Sequence, residues 1–316
     1  MGARKFVILS CVLAVLAGVA LFTLGPGQRH GQSERSDLFP SFDASAVDGI
    51  AIAGPDGAFR ISRSGEEGWI LGEEDWPADA GAVTRALEDL GRLRREAVAS
   101  TNPEKRALFG VTEEEGTTVR FEGSDRGSLV EFVVGRSGPD LFSGYLLLPG
   151  SDEVLLVSSN LGRVYGRPPD QWRNRSIVDL AAGEITALTV TAGGESYTLL
   201  RDDGGEWKAG GRIVDGQVVE DYLGKAVSLR ASAFAGGEEE VAAGFEEPAA
   251  VILFDAPGGG LSITVGALKE EDGQRYLRTD RSDIIYLVSR YTADALLKSE
   301  EDFPSPPEDG GSVIRE

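Results

Sequence analysis

The sequence predicts an α+β chain: one N-terminal membrane-crossing helix, then two tandem related repeats. Each repeat reads as a mainly antiparallel sheet with one or two helices. Three observations predict this. Residues 6–24 form an uncharged apolar run. Residues 128–172 match residues 259–303 at a fixed offset of 131, with nine identities, where roughly three are expected from average composition. Short alternating apolar segments bounded by Gly, Asp or Pro recur in both halves.

The elements follow in chain order. Residues 1–5 contain Arg4 and Lys5 and form a cytoplasmic basic flank. A helix over residues 6–24 spans about 28 Å, close to the hydrocarbon thickness of a bilayer. The basic flank keeps the N-terminus inside and places the rest outside. A rival reading is a signal peptide cleaved after Gly18-Val19-Ala20. The apolar run continues through Leu21, Phe22 and Leu24, which favours a retained anchor. Residues 25–41 are polar and rich in Gly and Ser, as a flexible tether is.

The first repeat is expected over 42–176 and the second over 177–303, with a disordered tail over 304–316. Strands are predicted at 47–53, 58–63, 117–122, 129–134, 143–148 and 153–157. Their counterparts are 185–191, 196–201, 250–254, 261–265, 275–279 and 284–288. Asp79 opens a run with Val83, Ala86, Leu87, Leu90 and Leu93 on one helical face, and Asp215 opens the matching run Val219, Tyr222, Leu223, Ala226 and Leu229. In both, the Asp carboxylate suits an N-cap. Phe109-Gly110 and Gly244-Phe245 mark similar turns.

Composition excludes several functions. The 316 residues carry a net charge of −21, and the segment after residue 30 carries −24. Such a surface repels nucleic-acid phosphates. One His and one Cys exclude a zinc site built from several His or Cys and an intramolecular disulfide. His30 lies in the tether. There is no phosphate-binding loop, no Gly-x-Ser-x-Gly and no Ser-x-x-Lys. The acidic runs 73–75, 113–115, 238–240, 270–272 and 300–302 lack the spacing of a calcium loop and read as solvated surface. The sequence therefore nominates no catalytic, cofactor-binding or metal-binding residue, and leaves any ligand-binding residues unknown. Trp69 and Trp207 sit at equivalent strand ends before the helix. They read as core aromatics, with a stacking platform for a sugar or peptide as the alternative. Trp172 is expected to pack between the repeats.

The pattern resembles the bacterial domain-of-unknown-function family 4340. Its features here are the basic-flanked span, the strand pair with a lone Trp, the acidic-capped helix and the Gly turn. Val134-Gly135 and Val265-Gly266, then Tyr145 and Tyr276, complete it. Glu114 stands where the second repeat has Pro248, a departure from the family habit. The resemblance covers about 42–303. It implies a bacterial envelope protein that accompanies ABC transporter subunits, and it implies no activity. The expected function is a non-enzymatic accessory or scaffold, anchored in the cytoplasmic membrane with its bulk extracytoplasmic. Partners are the membrane and ABC transporter subunits, with no nucleic acid and no cofactor. The alternative is a module binding a glycan or peptide between the repeats, and a carboxylate hydrolase ranks below both.

Overall fold

The computed structural model describes residues 36–65 and 68–307. The chain divides into two compact units between Arg173 and Asn174. The first contains β1 (Ser36–Asp37), β2 (Gly49–Gly54), β3 (Gly57–Ser64), β4 (Gly68–Leu71), β5 (Trp76–Pro77), α1 (Ala80–Gly91), β6 (Arg94–Ser100), α2 (Arg106–Phe109), β7 (Thr117–Glu122), β8 (Ser128–Ser137), β9 (Gly144–Leu147), β10 (Val154–Val157) and α3 (Leu161–Tyr165). The second contains β11 (Ala187–Ala192), β12 (Glu195–Arg201), β13 (Trp207–Ala209), β14 (Arg212–Ile213), α4 (Gly216–Val227), β15 (Ala233–Phe234), β16 (Ala250–Asp255), β17 (Leu261–Lys269), β18 (Gln274–Thr279), β19 (Ser282–Ser289) and α5 (Arg290–Asp294).

Each unit is one sheet. Its order is β1-β6-β10-β9-β8-β7-β2-β3-β4-β5 in the first unit and β14-β13-β12-β11-β16-β17-β18-β19-β15 in the second. Read from opposite ends the two orders coincide, with β1 as an addition to the first. Every pairing between these strands is antiparallel. Tyr145 pairs with Leu156, and Tyr276 with Leu287, so the offset of 131 is also the offset between the sheet registers.

The α+β class is corrected by this architecture. The described residues form two mostly antiparallel sheets with few helices, and only α1 and α4 reach twelve residues. Strands the sequence pattern did not mark (β1, β4, β5, β6, β13, β14 and β15) extend each sheet. No helix of the described residues is long and apolar enough to cross a membrane. The anchor expected at 6–24 lies outside the described residues, as do the flank 1–5, His30 and residues 308–316 of the tail.

Local chemistry explains the elements. In β2, Ile50 and Ile52 are buried while Ala51 and Ala53 face outward, the period-2 pattern of a strand packed on one side. The β11–β12 hairpin turns through Gly193 and Gly194, with φ of 60° and 86°. Both central residues of such a tight turn need positive φ, which Gly adopts without strain. Asp79 caps α1 by accepting from the Ala82 N–H at 2.9 Å, and Asp215 caps α4 by accepting from the Gln217 N–H at 2.9 Å. Each of these helices lies in the connection from one sheet edge to the other, β5 to β6 and β14 to β15. Each therefore covers one face. Helix α1 buries Ala82, Val83, Ala86, Leu87 and Leu90, and α4 buries Val219, Tyr222, Leu223 and Ala226.

The cores differ by a reciprocal exchange. In the first unit the fully buried Tyr165 donates its hydroxyl to the Ala86 carbonyl of α1 at 2.9 Å. The matching positions in the second unit are Leu296 and Tyr222. There the tyrosine sits on the helix and donates to the Leu296 carbonyl at 3.0 Å. One hydroxyl–carbonyl bond joins helix to closing segment in both, with the large side chain on opposite partners. Trp172, expected between the repeats, belongs to the core of the first unit, where it stacks on Tyr165 with ring centroids 6.4 Å apart. Its counterpart Phe303 is buried against Tyr222 in the second unit.

Candidate functional site

The face of the first sheet opposite α1 is covered at one end only. There Val111, Leu147 and Val154 are buried with Phe109 and Tyr145. The cover holds close because Gly135 has no Cβ; one added there would collide with the Phe109 carbonyl. Gly266 plays the same part under the Ala243 carbonyl in the second unit. Gly110 and Gly244, at φ of 66° and 67°, make the two turns.

Over β2, β3, β4 and β7 the same face is open and forms the floor of a groove of about 1270 Å³, whose rim also takes in Arg63, Trp76 and Arg173 from the α1 side. Strand register sets its lining. Ala51 lies between Arg60 and Arg120, Gly49 between Ser62 and Glu122, and Ala53 between Ala58 and Thr118. On this face β2 carries only Gly and Ala, so it forms a low floor between taller side chains. Arg60 leans across that floor. Its Nε donates to Glu122 Oε2 at 2.9 Å, its Nη2 lies 2.8 Å from the same oxygen, and its Nη1 donates to Ser62 Oγ at 2.5 Å. Glu122 is only 7% exposed. A Cβ at Gly49 would collide with Arg60 Nη2, so the glycine lets the ion pair cross the strand.

Three of the other arginines are also held. Arg120 Nε donates to Glu131 Oε2 at 2.8 Å. That bond, with the attraction of the two charges, raises the Arg120 pKa. Arg63 pairs with Asp48 at 3.1 Å, donates to the Val47 carbonyl at 2.8 Å and lies over the Trp69 ring at 4.6 Å. Arg173 lies 3.9 Å from the Trp76 ring centroid and 3.6 Å from Asp170. Among the described residues, Arg126 on the β7–β8 turn has no ion-pair partner; its φ is +61°. Five arginines and five acids line the groove, with Glu122 and Glu131 beside them as partners of Arg60 and Arg120, so positive charge is concentrated here in a chain of net charge −21. The result is an open groove with preset hydrogen-bond donors and acceptors. Such a surface recognises polar groups without reorganising.

The equivalent face of the second sheet is different. Thr189 and Thr198 hydrogen-bond at 3.0 Å, as do Thr191 and Ser196. Leu200 and Leu253 are exposed there. The charged crossing is a property of the first unit alone.

Of the residues singled out in the sequence, the acidic run Glu73-Glu74-Asp75 lines the groove, and the others lie elsewhere. Trp69 and Trp207 are both buried, each under an arginine of the neighbouring strand, Arg63 at 4.6 Å and Arg201 at 5.9 Å. The acidic runs are spread over loops. Glu115 pairs with Arg136, Glu239 with Lys269, and Asp302 with Lys298. Among the described residues no three acidic, His or Cys side chains gather to hold a metal. Sequence reasoning missed the groove residues Arg60, Arg120 and Glu122. The signal present was a strand whose outward positions Gly49, Ala51 and Ala53 are all small.

No curated protein and no solved structure matches the chain. Residues 69–248 match the model of one family, described as a domain of unknown function (DUF4340). The match runs from Trp69 of the first repeat to Pro248 of the second, more than half of the chain, and the chain belongs to that family.

Proposed function

We propose that the chain is an extracytoplasmic accessory protein that works by binding. The uncharged segment 6–24 holds it at the bacterial cytoplasmic membrane, and the open groove of the first sheet receives a partner. The partner is a membrane complex such as an ABC transporter, as the family resemblance implies. The observation that carries the reading is the groove itself. Asp48, Glu122 and Glu131 are each held by an arginine. Carboxylates fixed in this way present preset acceptors to a partner. The contrast with the second sheet, where Thr198 and Leu253 stand at the places of Arg60 and Arg120, supports a role specific to the first unit.

Affinity capture from solubilised membranes tests this. Ala53→Trp fills the groove floor from an exposed position without touching the ion pairs. Thr191→Trp makes the equivalent change on the second sheet. Wild type and Thr191→Trp are expected to retain the same membrane proteins, and Ala53→Trp to lose them. Equal recovery by all three would refute the groove as the binding face. Capture of no membrane protein would refute the accessory role and favour a glycan or peptide ligand.

A further inference from the structure

The loop joining β8 to β9, residues 138–143, holds two large apolar side chains in water. Leu141 is 68% exposed and Phe142 is 78% exposed. The backbone there is not relaxed, since Leu141 has φ of +64°, a conformation that costs a non-glycine residue energy. Nor is the loop loose. Asp140 Oδ1 accepts from the Phe142 N–H at 3.2 Å, the Ser143 N–H at 2.8 Å and the Ser143 hydroxyl at 2.5 Å. Asn160, buried, donates to the Leu141 carbonyl at 3.0 Å and to Ser137 Oγ at 2.9 Å. A strained and firmly tied segment that displays apolar groups points to a functional constraint. The matching connection of the second unit is Glu270-Glu271-Asp272-Gly273, so the repeat fold itself does not require apolar residues there.

The position of the loop in the sheet suggests its occupant. Ser36, the first described residue, pairs with Arg95, Arg95 with Val157, Val157 with Gly144, and Gly144 with Ser137. The tether's attachment and the two ends of the loop therefore share one lateral row. The row spans four strand spacings, about 19 Å. Residues 25–35 reach up to roughly 38 Å when extended, so a membrane holding segment 6–24 is within reach of the loop. Leu108, also exposed, lies on α2, whose Phe109 packs on Tyr145 beside the loop, 4.7 Å between ring centroids. Arg163, one turn past Asn160 on α3, is exposed and has no ion-pair partner among the described residues. It suits a lipid phosphate.

We propose that Leu141 and Phe142 enter the headgroup–acyl boundary of the membrane and so orient the first unit on it. This rests on the anchoring reading above. Interfacial burial of a few apolar side chains is weak alone, but a tether supplies a high effective concentration.

The test uses the full chain with Cys11→Ser and a single cysteine labelled with an environment-sensitive fluorophore. One form carries Phe142→Cys, the other Tyr291→Cys, at an exposed site in the second unit. Both are reconstituted in phosphatidylcholine vesicles, and resistance to alkaline extraction reports the anchor separately. The proposal expects a blue shift at 142, quenching by nitroxide lipids at least threefold stronger there than at 291, and loss of both effects on adding Leu141→Asn. A resistant chain whose two probes behave alike overturns the proposal and leaves the anchor intact. An extractable chain whose 142 probe still shifts keeps the lipid contact and overturns the anchor. A shift seen in native membranes but not in pure lipid overturns the proposal in favour of a protein partner.

Discussion

The reciprocal tyrosines allow a quantitative test of whether the two units share one core plan. Tyr165→Phe removes only the 2.9 Å bond to the Ala86 carbonyl and should cost about 1 kcal/mol. Tyr165→Leu also gives up ring contacts with Phe121, Phe132 and Trp172 and should cost roughly 2–4 kcal/mol. Ala86→Tyr alone forces a ring into a site that is fully buried and should cost about 1–3 kcal/mol. Together, Ala86→Tyr and Tyr165→Leu rebuild the Tyr222–Leu296 arrangement of the second unit. The double variant should be less damaged than the sum of the singles by roughly 1–3 kcal/mol. Recovery stays incomplete because Tyr165 packs on Trp172 while Tyr222 packs on the smaller Phe303. Hydrogen exchange at α1 amides under increasing urea, on residues 31–316, confines the measurement to the first unit. Additive costs in the double variant would refute the spatial equivalence of the two pairs.

Three further outcomes follow from the geometry. Gly49→Ala should destabilise the first unit by about 1–3 kcal/mol, because its Cβ displaces Arg60 and leaves the buried Glu122 unpaired; chemical denaturation measures it, and Glu122→Leu in the same chain should recover much of the loss. Leu141→Asn should leave the stability unchanged or raise it by up to about 1 kcal/mol, since Asn tolerates positive φ better than Leu; a clear drop in calorimetry would contradict the strain. Hydrogen bonds from Lys269 and Tyr276 lower the Glu239 pKa below its ordinary 4.5. A depressed carboxylate stabilises the fold above its unfolded pKa, and that contribution is lost as pH falls through the folded value. Unfolding between pH 6 and 3 should therefore show a shallower acid slope in Glu239→Gln than in wild type.

Much of the sheet was legible in the sequence because its central strands bury one face. Residues 117–122 alternate apolar and polar, and the structure forms β7 over Thr117–Glu122. The helices were legible from Asp79, Asp215 and the apolar stripes behind them. The secondary class was misjudged because the edge strands carry no such pattern. Residues 94–100 read Arg-Arg-Glu-Ala-Val-Ala-Ser, without a fully buried position, and Arg94 and Arg95 resemble a helix end. Pairing with β10, distant in sequence, makes that segment a strand. The groove was illegible for a related reason. Arg60, Gly49 and Glu122 belong to three strands, and only the placement of β7 beside β2 brings the acid within reach of the arginine. In each strand alone they read as ordinary outward positions. Trp172 was misplaced because its nearness to the repeat boundary says nothing about which core it enters.

The most direct measurement is photo-crosslinking in living cells from the groove floor. A photoreactive residue at position 53, in the first groove, and another at position 191, on the second sheet, share a topological place and differ only in their surroundings. The account predicts a discrete adduct with a membrane protein from position 53, absent from position 191 and abolished by Arg120→Glu at the groove wall. Identical adducts from both positions, or none from position 53 while position 191 captures the complex, would contradict it.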